Sequence, residues 1–242
     1  MRRLTVPALL SILFAGLFAP PPPAAAQDAS YADVVPSSAR TDAGLFDVHR
    51  VDDRLLFEIP DSLLGREMIV MSRYHRVQEG MTNVGANMAP NIVLTWERRG
   101  DRILLRATTH SDTADPEDNV HIAVENEQFA PILASLDVEA RGSGTSVVDV
   151  TDLYLGDTPA FTLPSGQRQG LSVRRYDRER SFLEWSRSFP INVEVRVVQT
   201  YDAGQPPSAQ RGGALSFEVN HSMILLPEEP MKPRLWDERV GF

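Results

Sequence analysis

The chain has 242 residues, with 24 Lys+Arg against 33 Asp+Glu and a formal net charge of −9. That acidic balance argues against a general nucleic-acid binder, because phosphate recognition needs a basic face. There is no cysteine, which excludes disulfide scaffolds, thiol nucleophiles, Cys-ligated zinc and iron–sulfur sites. Lysine chemistry has a single candidate, Lys232, set between Met231 and Pro233.

The N-terminus reads as an address. Arg2 and Arg3 precede an apolar run from Leu4 to Ala19, Pro20 to Pro23 break it, and Ala24-Ala25-Ala26 supplies small residues for cleavage. This is the order of a secretory signal peptide over 1–26, with cleavage after Ala26 and a secreted or periplasmic product. The run is too short to span a bilayer, and no later segment is long enough. Losing Arg2 and Arg3 would move the formal charge from −9 to −11.

Residues 27–43 are polar and small, and read as a flexible leader or first-strand approach. From 44 onward the dominant period is two, the signature of half-buried strands. Gly44 to His49, running into Val51-Asp52-Asp53-Arg54 and then Leu55 to Ile59, predicts a hairpin around an Asp-Asp turn. Pro60 to Gly65 predicts one helical turn, with Asp61 as its cap and Gly65 as its stop. Glu67 to Val77 predicts a strand, and Gln78 to Pro90 a loop. Ile92, Leu94 and Trp96 alternate with Val93, Thr95 and Glu97, then Arg98 to Asp101 turns the chain and Arg102 to Thr109 returns. Ser111 to Asn119 is an acidic loop, and Glu125 to Ala130 predicts a short helix.

Ile132 to Glu139 and Ser146 to Val150 predict a further strand pair, Asp152 to Gly156 a single turn, and Thr158 to Gln169 a loop rich in Pro and Gly. Ser181 to Ser188 predicts a strand. Two strongly alternating strands close the pattern: Val193, Val195, Val197 and Tyr201 on one face, then Leu215, Phe217, Val219, His221 and Met223 on another. The predicted fold is mainly β, an antiparallel sheet or sandwich-like arrangement with a few one-turn helices, as one unit over 44–242.

Chemistry is harder to find. The histidines are His49, His75, His110, His121 and His221, and no H-E-x-x-H is present. His75 and Glu79 are four apart, as are His121 and Glu125. Both pairs start in strand-like sequence, where that spacing spans over about 13 Å and reads as surface. His221 falls on the apolar face of its strand and reads as a core histidine. Asp112 to Asp118 clusters hard oxygen ligands suited to calcium, but without the glycine and spacing of an EF-hand, and reads as a solvated loop. Gly142-Ser143-Gly144-Thr145 is a tight turn, not a phosphate loop. There is no G-x-S-x-G elbow. Trp96, Trp185 and Trp236 read as packing residues. No catalytic, cofactor-binding or metal residue is assigned.

Several segments are similar to a known family. They are Gly44 to His49, Phe57 to Met68, Val93 to Arg99 with its Trp-Glu-Arg-Arg, Phe129 to Ala140, and Asp149 to Leu153. Arg180 to Phe182, Ser188 to Val195, Ser222 to Arg234 and Asp237 to Gly241 continue the match in order. Together they resemble the N-terminal region, a domain of unknown function, of bacterial secreted zinc-dependent metalloproteases. The resemblance implies a catalytic domain further downstream, carrying an extended H-E-x-x-H and the zinc, and a chain that stops at Phe242 inside the shared segment. It therefore implies a non-catalytic region that is inactive alone, with no cofactor of its own. That region would act as scaffold, substrate-presenting or prodomain-like module, with the downstream catalytic domain as partner and a protein or peptide as possible substrate. The alternatives are a stand-alone periplasmic or extracellular binding module, and an independent hydrolase with an unrecognised site.

Overall fold

Period-two patterning puts one face of each strand in a core and leaves the other to water. The computed structural model, which describes residues 30–108, 117–127, 129–208 and 212–229, realises that pattern. Its strands are β1 (Arg40–Asp42), β2 (Asp47–Val51), β3 (Arg54–Pro60), β4 (Glu67–Val77), β5 (Ile92–Arg99), β6 (Arg102–Thr108), β7 (Ile132–Gly142), β8 (Thr145–Asp149), β9 (Val173–Tyr176), β10 (Phe182–Ser188), β11 (Asn192–Ala203) and β12 (Ala214–Leu225). All twelve join one antiparallel sheet in the order β1-β2-β3-β8-β7-β6-β5-β4-β12-β11-β10, with β9 on the far end of β11.

β7 is the hinge of this sheet. Its first half pairs with β6, Asp137 opposite Arg102, and its second half with β8, Val138 opposite Val148. The sheet curls until its two ends meet. The Leu45 amide donates to the Phe189 carbonyl at 2.8 Å, and the Arg50 guanidinium reaches the carbonyls of Leu183 and Glu184 in β10. Gly44 sits at this seam. A Cβ there would lie 2.5 Å from Ser188 Oγ and 2.7 Å from the Phe189 nitrogen. Gly44→Ala should therefore prise the seam open and cost about 1–3 kcal/mol. Thermal unfolding, with loss of exchange protection at the Leu45 amide, checks this.

The concave face holds the core. Phe46 and Phe57 pack together with ring centroids 5.5 Å apart, and Trp96 meets Phe46 edge-on at 6.2 Å. Tyr154 bridges Phe57, Phe161 and His221. Tyr154 comes from helix α3 (Thr151–Leu155), in which every residue but Asp152 is buried. A helix apolar nearly all round belongs inside, and α3 plugs the curl. β3 is buried on both faces: Leu55, Phe57 and Ile59 enter the main core, while Leu56 joins Val34, Ala140 and Val147 in a smaller one.

Several elements differ in detail from the sequence expectation. Within 27–43, read as a leader, residues Tyr31–Val34 form helix α1 and 40–42 form β1. Val34 alone anchors that helix in the small core, a signal too sparse for periodicity to reveal. The turn at 61–63 is a 3-10 turn with Pro60 at its cap position. Asp61 instead pairs with Arg98, while Gly65, at φ +76°, does end the turn. Helix α2 runs over His121–Glu127, earlier than 125–130, and α4 (Ser165–Gly170) falls in the stretch expected to be loop. The Asp52-Asp53 hairpin is as expected, with Asp52 in the left-handed region at φ 51°.

Candidate functional site

The described histidines fall into three settings. His75 is exposed on β4, its Nε2 3.9 Å from Glu218. His121 opens α2, so Glu125 follows it by one helical turn, where the sequence suggested a strand. His49 and His221 are buried, 2% and 1% exposed. His110 lies outside the described residues, as do Asp112 to Pro116 of the acidic loop, Trp236 and Lys232. Among the described residues, no three His, Asp or Glu side chains stand together as a metal site requires.

His221 projects inward from β12, with its Nδ1 2.8 Å from Ser72 Oγ on β4. A serine beside a histidine is the start of a nucleophile–base pair. Here both are sealed: Ser72 is 3% exposed, and His221 Nε2 is buried with no hydrogen-bond partner among the described residues. Burial pushes the imidazole down to about 3, so it is neutral at physiological pH. The Tyr154 and Phe161 rings lie 5.5 and 5.6 Å away and close the space a substrate would need.

Glu58 on β3 is the centre of a second cluster. It accepts from Thr145 on β8, from the Tyr31 hydroxyl on α1 at 2.6 Å, and from His49 Nε2 at 3.1 Å. The other ring nitrogen, Nδ1, lies 2.8 Å from the Thr41 hydroxyl, which can serve it as donor or acceptor. Burial works to raise the Glu58 pKa, but the hydrogen bonds from Thr145, Tyr31 and His49 outweigh it and hold the carboxyl below the usual range. Burial and Glu58 together push the Tyr31 phenol up to about 12. Both carboxylate oxygens are engaged, so the cluster binds α1, β1, β2, β3 and β8 to one another and leaves no reactive atom facing open space.

A third cluster anchors the segment after α3. Arg168 on α4 grips Asp157 through both terminal nitrogens, donates to the Leu163 carbonyl at 2.6 Å, and lies 5.3 Å over the Tyr201 ring. Thr162 Oγ1 is 2.7 Å from the Tyr201 hydroxyl, which accepts from the Leu163 amide and donates to Gln199. The Arg168 hydrogen bond holds the Asp157 carboxyl below its ordinary value, against the effect of burial. A cleft of about 450 Å³ opens beside this cluster, yet the Arg168 donors on its wall already have partners within the chain.

Sequence reasoning named none of Glu58, Tyr31, Thr145, Asp157, Arg168 or Tyr201 as a centre. For Glu58 a signal existed: it sits between Phe57 and Ile59 in a strand buried on both faces. Asp157 and Arg168 are joined only by tertiary folding.

These features define a curled, mainly antiparallel β protein whose polar clusters cross-link its strands. The chain belongs to the family described as Domain of unknown function (DUF5117), which it matches over residues 85–242. Residues 28–77 match a second, Domain of unknown function (DUF5118). The boundary between the two matches falls between β4 and β5, inside a single sheet. No curated protein and no solved structure matches the chain.

Proposed function

We propose that this chain is the non-catalytic β-rich region of a secreted zinc-dependent metalloprotease and acts as a scaffold that presents substrate to, or restrains, a downstream catalytic domain. The observation that carries the reading is that its buried polar clusters, at Glu58 and at Ser72–His221, are spent on cross-linking strands. That is the use a rigid support makes of polar groups. The similarity of 44–49, 57–68, 188–195, 222–234 and 237–241 to that protease family supports the same reading. Export is part of it: the 1–26 signal would be removed, leaving Gln27 first. No helix among the described residues is long and apolar enough to cross a membrane, which says nothing of β-barrels.

The test is made on purified residues 27–242 and on the same chain extended in frame through whatever follows codon 242. The shorter protein should neither retain stoichiometric zinc nor cleave casein, and the extended one should gain chelator-sensitive cleavage. Zinc-dependent proteolysis by 27–242 alone would overturn the proposal. An extension without a zinc motif would favour the stand-alone binding module.

A further inference from the structure

The seam between the ends of the sheet encloses a cleft of about 380 Å³, walled by β1 and β2 on one side and β10 on the other. Three arginines line it: Arg40, Arg50 and Arg187. Elsewhere the described arginines are mostly ion-paired, as at Arg54, Arg66, Arg98, Arg106, Arg168 and Arg174. In a chain with 33 acidic residues such pairing is the expected state. The three cleft arginines have no carboxylate within 4 Å among the described residues. Arg50 has only the Leu183 and Glu184 carbonyls, at 3.3 and 3.4 Å. Arg40 and Arg187 are exposed, and their guanidinium groups have no hydrogen-bond partner among the described residues.

The register sharpens the point. Arg40 stands directly opposite Arg50 across the β1–β2 ladder. Like charges in that position repel and weaken the pairing unless a counter-charge intervenes. The one acid in the cleft is Asp42, whose Oδ2 accepts from the Ser188 amide at 3.1 Å. Three arginines against one aspartate leave a formal +2. Ser186, half-buried on the opposite wall, adds a hydroxyl that no described group engages.

We propose that this cleft is a binding site for a small, multiply charged oxyanion carrying phosphate or carboxylate groups. Guanidinium forks match such oxygens with two parallel hydrogen bonds, and the volume suits a small metabolite-sized ligand. The anion would relieve the Arg40–Arg50 repulsion from one wall and draw Arg187 from the other. It would therefore clamp β1–β2 to β10 and stabilise the closed curl by mass action.

The experiment uses purified residues 27–242, titrated with inorganic phosphate in one arm and citrate in another, each against sodium chloride of equal ionic strength. Either anion at ~10 mM should raise the melting temperature by roughly 3 °C beyond the chloride control. The arm with the larger shift identifies the preferred oxygen chemistry. Arg40→Gln combined with Arg187→Gln should weaken binding at least ~10-fold, whereas Arg99→Gln, an exposed arginine on β5, should leave it unchanged. A second measurement needs no variant: the same anions should protect Arg40, Arg50 and Arg187, but not Arg99, from phenylglyoxal, read by peptide mass mapping. Shifts equalled by chloride, or protection spread evenly over all four arginines, would overturn the proposal.

Discussion

Replacing Trp96 with alanine is expected to remove about 3–5 kcal/mol of stability, and to loosen both family-matching segments together. Trp96 is fully buried on β5, in the part that matches the first family. Its ring meets Phe46, which lies in the part matching the second. The cavity left behind would face Phe46 and Phe57 from one segment and the β5–β6 core from the other. Urea unfolding followed by circular dichroism should show one transition, shifted to lower denaturant. Hydrogen exchange should show β2, β3, β5 and β6 losing protection by similar amounts. If β2 and β3 kept their protection while β5 and β6 lost it, the two segments would be separate folding units and the single-core description would be wrong.

The second large effect is acid sensitivity centred on His221. An unfolded histidine takes up a proton near pH 6.5, whereas burial delays that event in the folded chain to about pH 3. Between those values the unfolded state binds one more proton than the folded state. Stability supplied by the neutral imidazole is thus complete above pH 6.5 and declines as pH falls towards 3, at up to about 1.4 kcal/mol per pH unit. His221→Leu removes the titration. It leaves the Ser72 hydroxyl without its hydrogen-bond partner, an offset of about 1–3 kcal/mol that does not depend on pH. Between pH 6 and 4, the wild-type curve of unfolding free energy should therefore be steeper than that of the variant. Glu58 and Asp157, whose carboxyl pKa values are lowered, add their own losses as pH falls through the ordinary carboxylate range, equally in both proteins. Parallel curves between pH 6 and 4 would mean that His221 is already protonated or solvated in the native state.

Strands were legible wherever one face of the sheet meets the core and the other meets water. β11 and β12 alternate over their length, and the sequence placed Val193 to Tyr201 and Leu215 to Met223 on the side they occupy. The β5–β6 hairpin was readable because Gly100, at φ +63°, and Asp101 interrupt two alternating runs. Elements whose stability is wholly tertiary were obscure. α1 is held by Val34 and the Tyr31–Glu58 hydrogen bond, and no local propensity announces it. α4 is a Gly- and Gln-containing turn fixed by Arg168 and Gln167 reaching other parts of the chain. The polar clusters were invisible for the same reason: Glu58 meets Thr145 across 87 positions, and Ser72 meets His221 across 149. Residue type and spacing carry information about chemistry when the groups share a turn or a helix face. In this fold they share neither.

The placement of β4 sets a timetable for folding. One neighbour, β5, follows closely in the chain, but the other, β12, is the last strand among the described residues, with Ile69 opposite Ile224. During synthesis β4 must wait until β12 has emerged before its second row of amide and carbonyl groups is satisfied. Contacts of such long range make for slow folding. Any nascent or clipped chain lacking β12 keeps an open, apolar-flanked edge in the middle of the eventual sheet, the kind of surface that invites pairing with another chain. The final dozen residues of β12 thus act as the closing stitch, and the chain's exposure to misassembly ends only when they arrive.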